Sequence, residues 1–338
     1  MTPTSAAAVL ERLRGKLNVN AVHAGARRPF KFFLCGDPAL LGALRALLLS
    51  GQPGDTIPPE AAASFETLDR SRPADTTDAR AVICCGRPGD RTGMHVDQLT
   101  TLKLPVLYLC VDAASTIATG PTTAPAPGAV EEYVVDRIAH ETLRGRFLPH
   151  LIDCCRGIEV AVGRRLPALR ETVAAKLTRD AALNALKVSG ASAVLDHVPV
   201  LGIVLGAFAS AGDMMAITGI QMTLMLNIGA TYGRDPDLNQ IWELLPIVGG
   251  GFGWRALARE LSGFIPVGGI VIKAAIAYAG TVVVGEGVGY FYRHGRHMGV
   301  EDASRIYDEA RVSALTFARE LFARFRRSRG GDGNGTLS

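Results

Sequence analysis

Phe30-Lys31-Phe32-Phe33-Leu34-Cys35-Gly36-Asp37-Pro38 is a short apolar run that stops on a glycine, an acid and a proline. A run of this length, rich in aromatic residues and bounded by turn formers, reads as a buried strand. The proline presets φ for a first helical turn, where its missing N–H costs nothing. Ala39 to Leu49 then reads as a helix. Strand, tight turn and helix are the opening unit of an α/β layer. Working outward, Ala81-Val82-Ile83-Cys84-Cys85 and Pro105-Val106-Leu107-Tyr108-Leu109-Cys110-Val111 are further buried strands, and Tyr133-Val134-Val135 is a short last one. Near-continuous apolar strands alternating with helices predict a parallel sheet covered on both faces. The Pro, Gly and Thr-rich stretch from Thr119 to Gly128 is a loop.

The flanks differ from this core. Residues 5–18 form an expected amphipathic helix with Val9, Leu10, Leu13 and Leu17 on one face. With Glu11, Arg12 and Arg14 and no long apolar run, the first 16 residues are not expected to be a secretory signal. From about His140 the sequence turns helical through Leu151, Ile158, Leu166, Leu169, Val173 and Leu177, and near residue 180 the composition changes. Between Val188 and Tyr232 the formal charges are Asp196 and Asp213; between Leu261 and Tyr292 they are Lys273 and Glu286. A turn at Gly233-Arg234-Asp235-Pro236-Asp237 precedes a helix near Asn239–Leu245, and a last amphipathic helix is expected over 301–325.

Inside the apolar region the run Val198-Pro199-Val200-Leu201-Gly202-Ile203-Val204-Leu205-Gly206-Ala207 returns as Ile265-Pro266-Val267-Gly268-Gly269-Ile270-Val271-Ile272-Lys273-Ala274. Proline followed by glycine opens an apolar helix and lets another backbone approach it. The repeat predicts two packed apolar helical elements. The copies are unequal: Lys273 stands where the first has Gly206, and Gly280 where it has Asp213. Packed as partners, they would bring Lys273 toward Asp213.

A strand, glycine and helix invite a nucleotide reading. A phosphate loop requires G-x-x-x-x-G-K-[ST], with backbone amides for the phosphates, a lysine for charge and a hydroxyl for magnesium. From Gly36 the frame runs into Leu41-Gly42-Ala43, without the lysine or the hydroxyl, so Gly36, Asp37 and Pro38 mark a degenerate phosphate-loop position. A guanine-reading Asn-Lys-x-Asp would fall at Leu109-Cys110-Val111-Asp112, where the aspartate alone survives. Asp90-Arg91-Thr92-Gly93 matches D-x-x-G, a pattern too short to carry weight. No H-E-x-x-H, G-x-S-x-G or EF-hand spacing occurs, and His294 and His297 have no third ligand near them in sequence. No catalytic residue, cofactor or metal is expected.

Composition bounds the rest. The chain has 338 residues, 48% of them hydrophobic, and a net charge of +4. That charge is too small to imply nucleic acid, and no basic stripe is interleaved with aromatics. Arg324, Arg326, Arg327 and Arg329 form a basic tail, either solvated or facing anionic headgroups. The cysteines at 35, 84, 85, 110, 154 and 155 lack metal spacing, and those in strand-like runs read as buried thiols. A spanning helix needs about 20 largely apolar residues. Met214 to Gly233 carries no formal charge, although Gln221 and Asn227 lie within it. Small residues recur at four-residue spacing: Gly202/Gly206, Ala275/Ala279 and Gly285/Gly289. These segments fit membrane helices or the buried helices of a soluble bundle.

Residues 180–293 carry further landmarks in order: Pro199 to Asp213, Gln221 with Met222 and Met225, Tyr232-Gly233, Gly249-Gly250-Gly251, Trp254-Arg255, Ile265-Pro266-Val267-Gly268-Gly269, Ala275 to Thr281, and Gly285. Together they resemble the YcjF-type, GTPase-associated domain of unknown function of bacterial membrane proteins. The resemblance implies an all-helical, membrane-associated domain without an established catalytic role, often fused behind a small GTPase domain. Its family-motif positions here are Pro199, Gly202, Asp213, Gln221, Gly249, Arg255, Pro266, Gly269, Lys273 and Gly285. The N-terminal part is similar to a degenerate GTPase domain by strand order.

The expected organisation is an N-terminal helix over 1–25, a degenerate GTPase-like α/β domain over 26–145 and a connecting helix over 146–187. An apolar membrane-associated helical domain over 188–295 follows, then an amphipathic helix and basic tail over 296–338. The expected function is a non-enzymatic scaffold or regulator on the cytoplasmic side of a membrane, with a protein partner or a second copy of itself. The alternatives are a GTP-binding protein with an atypical phosphate loop and a soluble helical oligomerisation protein.

Overall fold

The computed structural model describes residues 17–51, 57–69, 73–191, 213–249 and 269–330. The chain divides into two compact units. One comprises 23–174 with 230–235; the other holds the described residues of 175–229 and those from 236 onward, with 17–22.

The first unit is an α/β layer. Helix α1 (Val19–Ala26) leads into β1 (Lys31–Gly36), α2 (Pro38–Leu49) and, after a 3₁₀ turn at Pro59–Ser64, β2 (Phe65–Thr67). Strand β3 (Ala79–Gly86) is followed by α3 (Asp90–Gly93), a 3₁₀ stretch at Val96–Leu102 and β4 (Val106–Val111), and then β5 (Val130–Val135). The strands form one parallel sheet in the order β2-β1-β3-β4-β5, with Phe33 beside Val82, Ile83 beside Leu107 and Cys110 beside Val134. Alternation gives the sheet two faces. On one, Phe33, Val82, Cys84, Val106 and Tyr108 pack with Val96 and Leu99 from the 3₁₀ stretch. On the other lie Phe32, Leu34, Ala81, Ile83, Leu107, Leu109 and Tyr133, all buried, as are Leu44 and Leu48 of α2. Each such side chain contributes roughly 1.5–3 kcal/mol when removed from water.

The expected strands are present: β1 is shifted by one residue from its apolar run, β4 begins one residue later than its run, and β3 and β5 are longer than theirs. Strand β2 was not anticipated; α1 falls at the end of the stretch expected as an N-terminal helix over 1–25, and the β4–β5 crossover consists of turns and bends around the loop read over Thr119–Gly128. After α4 (His140–Leu143), the stretch expected as one connecting helix over 146–187 begins as α5 (Phe147–Asp153) and α6 (Glu159–Arg165). It breaks at Gly157, where φ is +81°, and again at Leu166-Pro167, before α7 (Arg170–Ala191). A positive φ strains side-chain-bearing residues, and proline denies the helix an amide donor.

The second unit is helical. It contains most of α7, then α8 (Asp213–Thr231), α9 (Leu238–Gly249), α10 (Gly269–His294) and α11 (Val300–Gly330). Gly295, at φ +65°, turns the chain between α10 and α11. Ala274 and Ala275 of α10 share a buried cluster with Ala314 of α11 and Leu186 of α7, at similar sequence distance on either side of the turn. The two helices therefore run antiparallel. A second cluster joins Ala185, Ile220 and Ala277. The α/β layer followed by an apolar helical region agrees with the architecture read from the sequence.

Candidate functional site

In a doubly wound sheet a ligand crevice opens beyond the carboxyl ends of the strands, where the strand order reverses. Here that point lies between β1 and β3. At the end of β1, Gly36 has φ +121°, and a β-carbon on it would collide with the Cys85 carbonyl oxygen. That carbonyl accepts the Asp37 N–H at 2.9 Å. Glycine is thus required twice over, by conformation and by space. Asp37 is the N-cap of α2: its Oδ1 accepts the N–H groups of Ala39 at 2.8 Å and Leu40 at 3.3 Å, with Pro38 opening the helix.

Across the switch point, Gly86 ends β3, and a β-carbon there would lie 2.9 Å from the Tyr108 hydroxyl. Tyr108 donates that hydroxyl to the Arg87 carbonyl at 3.2 Å. The Arg87 N–H donates to Asp90 at 2.7 Å, and the Arg87 Nε stands 3.8 Å from Asp37 Oδ2. Arg91 bridges Glu132 at 2.7 Å and Asp97 at 2.8 Å. The two residual nucleotide-like motifs thus have local jobs. Asp90 holds the turn into α3, and Asp112 accepts the Ala114 N–H at 3.0 Å in the turn after β4. Arg87 was missed by sequence reasoning, because it belongs to no motif and gains its position from the β1–β3 pairing.

The chemistry available at this crevice follows from Asp37. A helix N-terminus receives a phosphate through its free amides. At α2 two of these amides already bond the chain's own carboxylate, which also places negative charge where a phosphate would come. The thiol below the crevice, Cys85, is pushed up to about 12 by burial, so it is not a thiolate near neutrality. The rim consists of acids and arginines paired at the surface.

In the helical unit, two of the positions singled out in the sequence make contacts between helices. Gln221 of α8 donates to the Thr281 hydroxyl of α10 at 3.2 Å. Gly285 of α10 lies against Thr178 of α7, so closely that a β-carbon would be 2.8 Å from the Thr178 Cβ. Gly229 fits between Gln240 and Tyr292, each with an oxygen 3.0 Å from where its β-carbon would be. Asp213, Gly249, Gly269 and Lys273 fall on described helices, though the side-chain surroundings of 213, 249, 269 and 273 lie outside the described set. Pro199, Gly202, Arg255 and Pro266 lie outside the described residues, as do the first 16 residues and the first copy of the repeat. Among the described residues one helical stretch, Ala274–His294, is long and apolar enough to cross a membrane, by length and composition.

No family model, curated protein or solved structure matches this chain.

Proposed function

We propose that this chain is a membrane-attached, non-enzymatic scaffold or regulator whose α/β unit contacts a partner protein. The observation that carries the reading is the apolar stretch Ala274–His294. The Gln221–Thr281 hydrogen bond supports it, since polar side chains between membrane helices bond to each other. The GTPase-like resemblance of the α/β unit contributes a scaffold, without its chemistry. The Asp37 carboxylate on the α2 amides and the missing lysine and hydroxyl both weigh against phosphate binding. Arg164, Arg165, Arg179 and Lys187 precede the apolar region, and Arg293, Arg296 and Arg305 follow it. By the positive-inside tendency both flanks face the cytoplasm, so the region crosses an even number of times or dips in and returns.

Fractionation of the full-length protein is the test. It is expected in the membrane pellet after lysis and ultracentrifugation without detergent, and recovery in the supernatant overturns the proposal. A second reading, a soluble helical oligomer, is favoured by the burial of most of the Ala274–His294 stretch inside the helical unit. A defined oligomeric mass in that supernatant would establish it. The GTP-binding alternative predicts heat on titrating the full chain with GTP and Mg²⁺.

A further inference from the structure

Helix α10 holds the one described stretch apolar enough to cross a membrane, yet from Ala274 to Arg293 none of its residues is exposed. On one flank the cover is α11, which returns antiparallel along it. Ala314 of α11 packs against Ala274 and Ala275, with Tyr278 and Leu315 beside them. With the chain turning at Gly295, that register places 301–309 of α11 alongside the middle of the apolar stretch.

The outer face of this cover is charged. Glu301, Asp302, Arg305, Asp308 and Glu309 are exposed. Arg305 reaches Asp302 at 3.4 Å and Glu309 at 3.2 Å, and Arg311 stands 3.9 Å from Asp308. Such pairs suit a surface in water. In hydrocarbon, charged side chains face a bundle interior or a water-filled cavity, whereas these face outward. On this flank α10 cannot meet lipid while α11 is docked. An apolar helix fit for lipid and a charged sheath fit for water thus belong to two states of one unit.

The connection between the two helices suits such a change. α11 joins α10 through 295–299, which opens on Gly295 at φ +65° and closes on Gly299. Among the described residues no element follows α11, so only this connection must turn when the helix leaves. Hinges are short segments at element ends. The fully buried members of the seam on these two helices are alanines, which bury little apolar area apiece. On its other sides α10 is keyed to α7 by the Gly285–Thr178 contact and to α8 by the Gln221–Thr281 hydrogen bond. Tyr290, Phe291 and Tyr292 end the apolar stretch beside Arg293 and Arg296, with the Arg296 guanidinium 5.3 Å from the Tyr290 ring centroid. Aromatic and basic residues of this kind border a span at the membrane surface.

We infer that α11 is a detachable cover, which lies on α10 in water and swings away at 295–299 to let α10 contact the hydrocarbon of a lipid bilayer. This rests on the membrane reading above. The bilayer drives the change because it favours the uncovered apolar helix over the charged cover.

The test locks the cover shut in the full-length protein. Ala274→Cys/Ala314→Cys and Ala275→Cys/Ala314→Cys each place one thiol on either helix, and the pair that closes under mild oxidation is used. The parent protein, treated alike, controls for its own cysteines. Oxidised and dithiothreitol-reduced samples in mild detergent are diluted into vesicles of equimolar phosphatidylcholine and phosphatidylglycerol and floated on a density gradient. The reduced protein should float like the parent, and the locked protein at least about tenfold less. At limiting lipid, Ala314→Glu, which plants a charge in the seam, should float more than the parent. Equal flotation of locked and reduced protein, failure of both pairs to close, or no gain in Ala314→Glu overturns the cover alone. A parent protein that does not float sinks the membrane reading itself.

Discussion

Gly285 and Thr178 meet where α10 crosses α7, with no room between them for a β-carbon: one built on Gly285 would lie 2.8 Å from the Thr178 Cβ and nearer still to its hydroxyl. Gly289, one turn further along α10, has nothing within 4 Å of the same construction. The two glycines share a sequence pattern and differ in duty. Alanine in a helix gains up to about 1 kcal/mol over glycine, and overpacking a tight contact costs about 1–3 kcal/mol. Gly289→Ala should therefore leave the thermal midpoint unchanged or raise it, and Gly285→Ala should lower it. Adding Thr178→Ala to Gly285→Ala should recover part of the loss. A Gly285→Ala protein as stable as its parent would show that α7 and α10 do not approach in this way.

Asp37 closes the first turn of α2 with two backbone bonds. Asp37→Ala should cost about 1 kcal/mol, as other N-cap losses do, while Asp37→Asn should recover most of it. Denaturant unfolding of the three proteins measures the difference. Freed amides still lack a lysine beside them, so Asp37→Ala should show no heat on titration with GTP and Mg²⁺. Measurable binding would return the GTP-binding alternative to first place.

The sheet was legible because its central strands bury both faces. Phe32 and Phe33, Ile83 and Cys84, Leu107 and Tyr108 are all buried neighbours, so no polar residue interrupts their runs. Edges gave a weaker signal. In β2 only Phe65 is buried, and β5 opens with Val130, Glu131 and Glu132, half-exposed or exposed as an outer strand allows. The Gly36-Asp37-Pro38 turn could be placed from residue types, but the use of Asp37 as a cap follows from side-chain direction. The meeting of Arg27 and Arg164 at Asp235 had no local signature at all. Arg27 and Arg164 lie far apart in sequence, and only folding brings both to the Asp235 carboxylate. The turn at Gly233, with φ +89°, could be read, though not what it docks beside.

Burial governs thiol reactivity here. Cys85 and Cys154 are each pushed up to about 12 by burial, and fully buried Cys155 is raised well above its ordinary value for the same reason. All three should resist iodoacetamide at pH 7.5 in the folded protein and react once it is unfolded in guanidinium, as read by mass spectrometry. Rapid labelling of Cys85 in the native state would contradict the complete burial of its side chain in β3.

His150 supplies a pH dependence. Its Nδ1 lies 2.7 Å from the Tyr133 hydroxyl, and the two rings stand 5.7 Å apart, with Phe147 against Tyr133. Burial holds the imidazole below its ordinary value, helped by Arg146 and opposed by Asp153 and Glu131. The unfolded chain, with a histidine near 6.5, therefore binds a proton more readily than the folded one. Stability must then fall as pH drops below about 6.5 and continue falling until the folded-state value is passed. Protonation would also turn Nδ1 into a donor facing a hydroxyl inside an apolar pocket. His150→Gln keeps a polar partner for Tyr133 and cannot titrate. It should cost stability at pH 7.5 but lose less than the parent between pH 7.5 and pH 5.5, by denaturant unfolding at both values. An identical fall in the two proteins would place the acid sensitivity of this domain elsewhere.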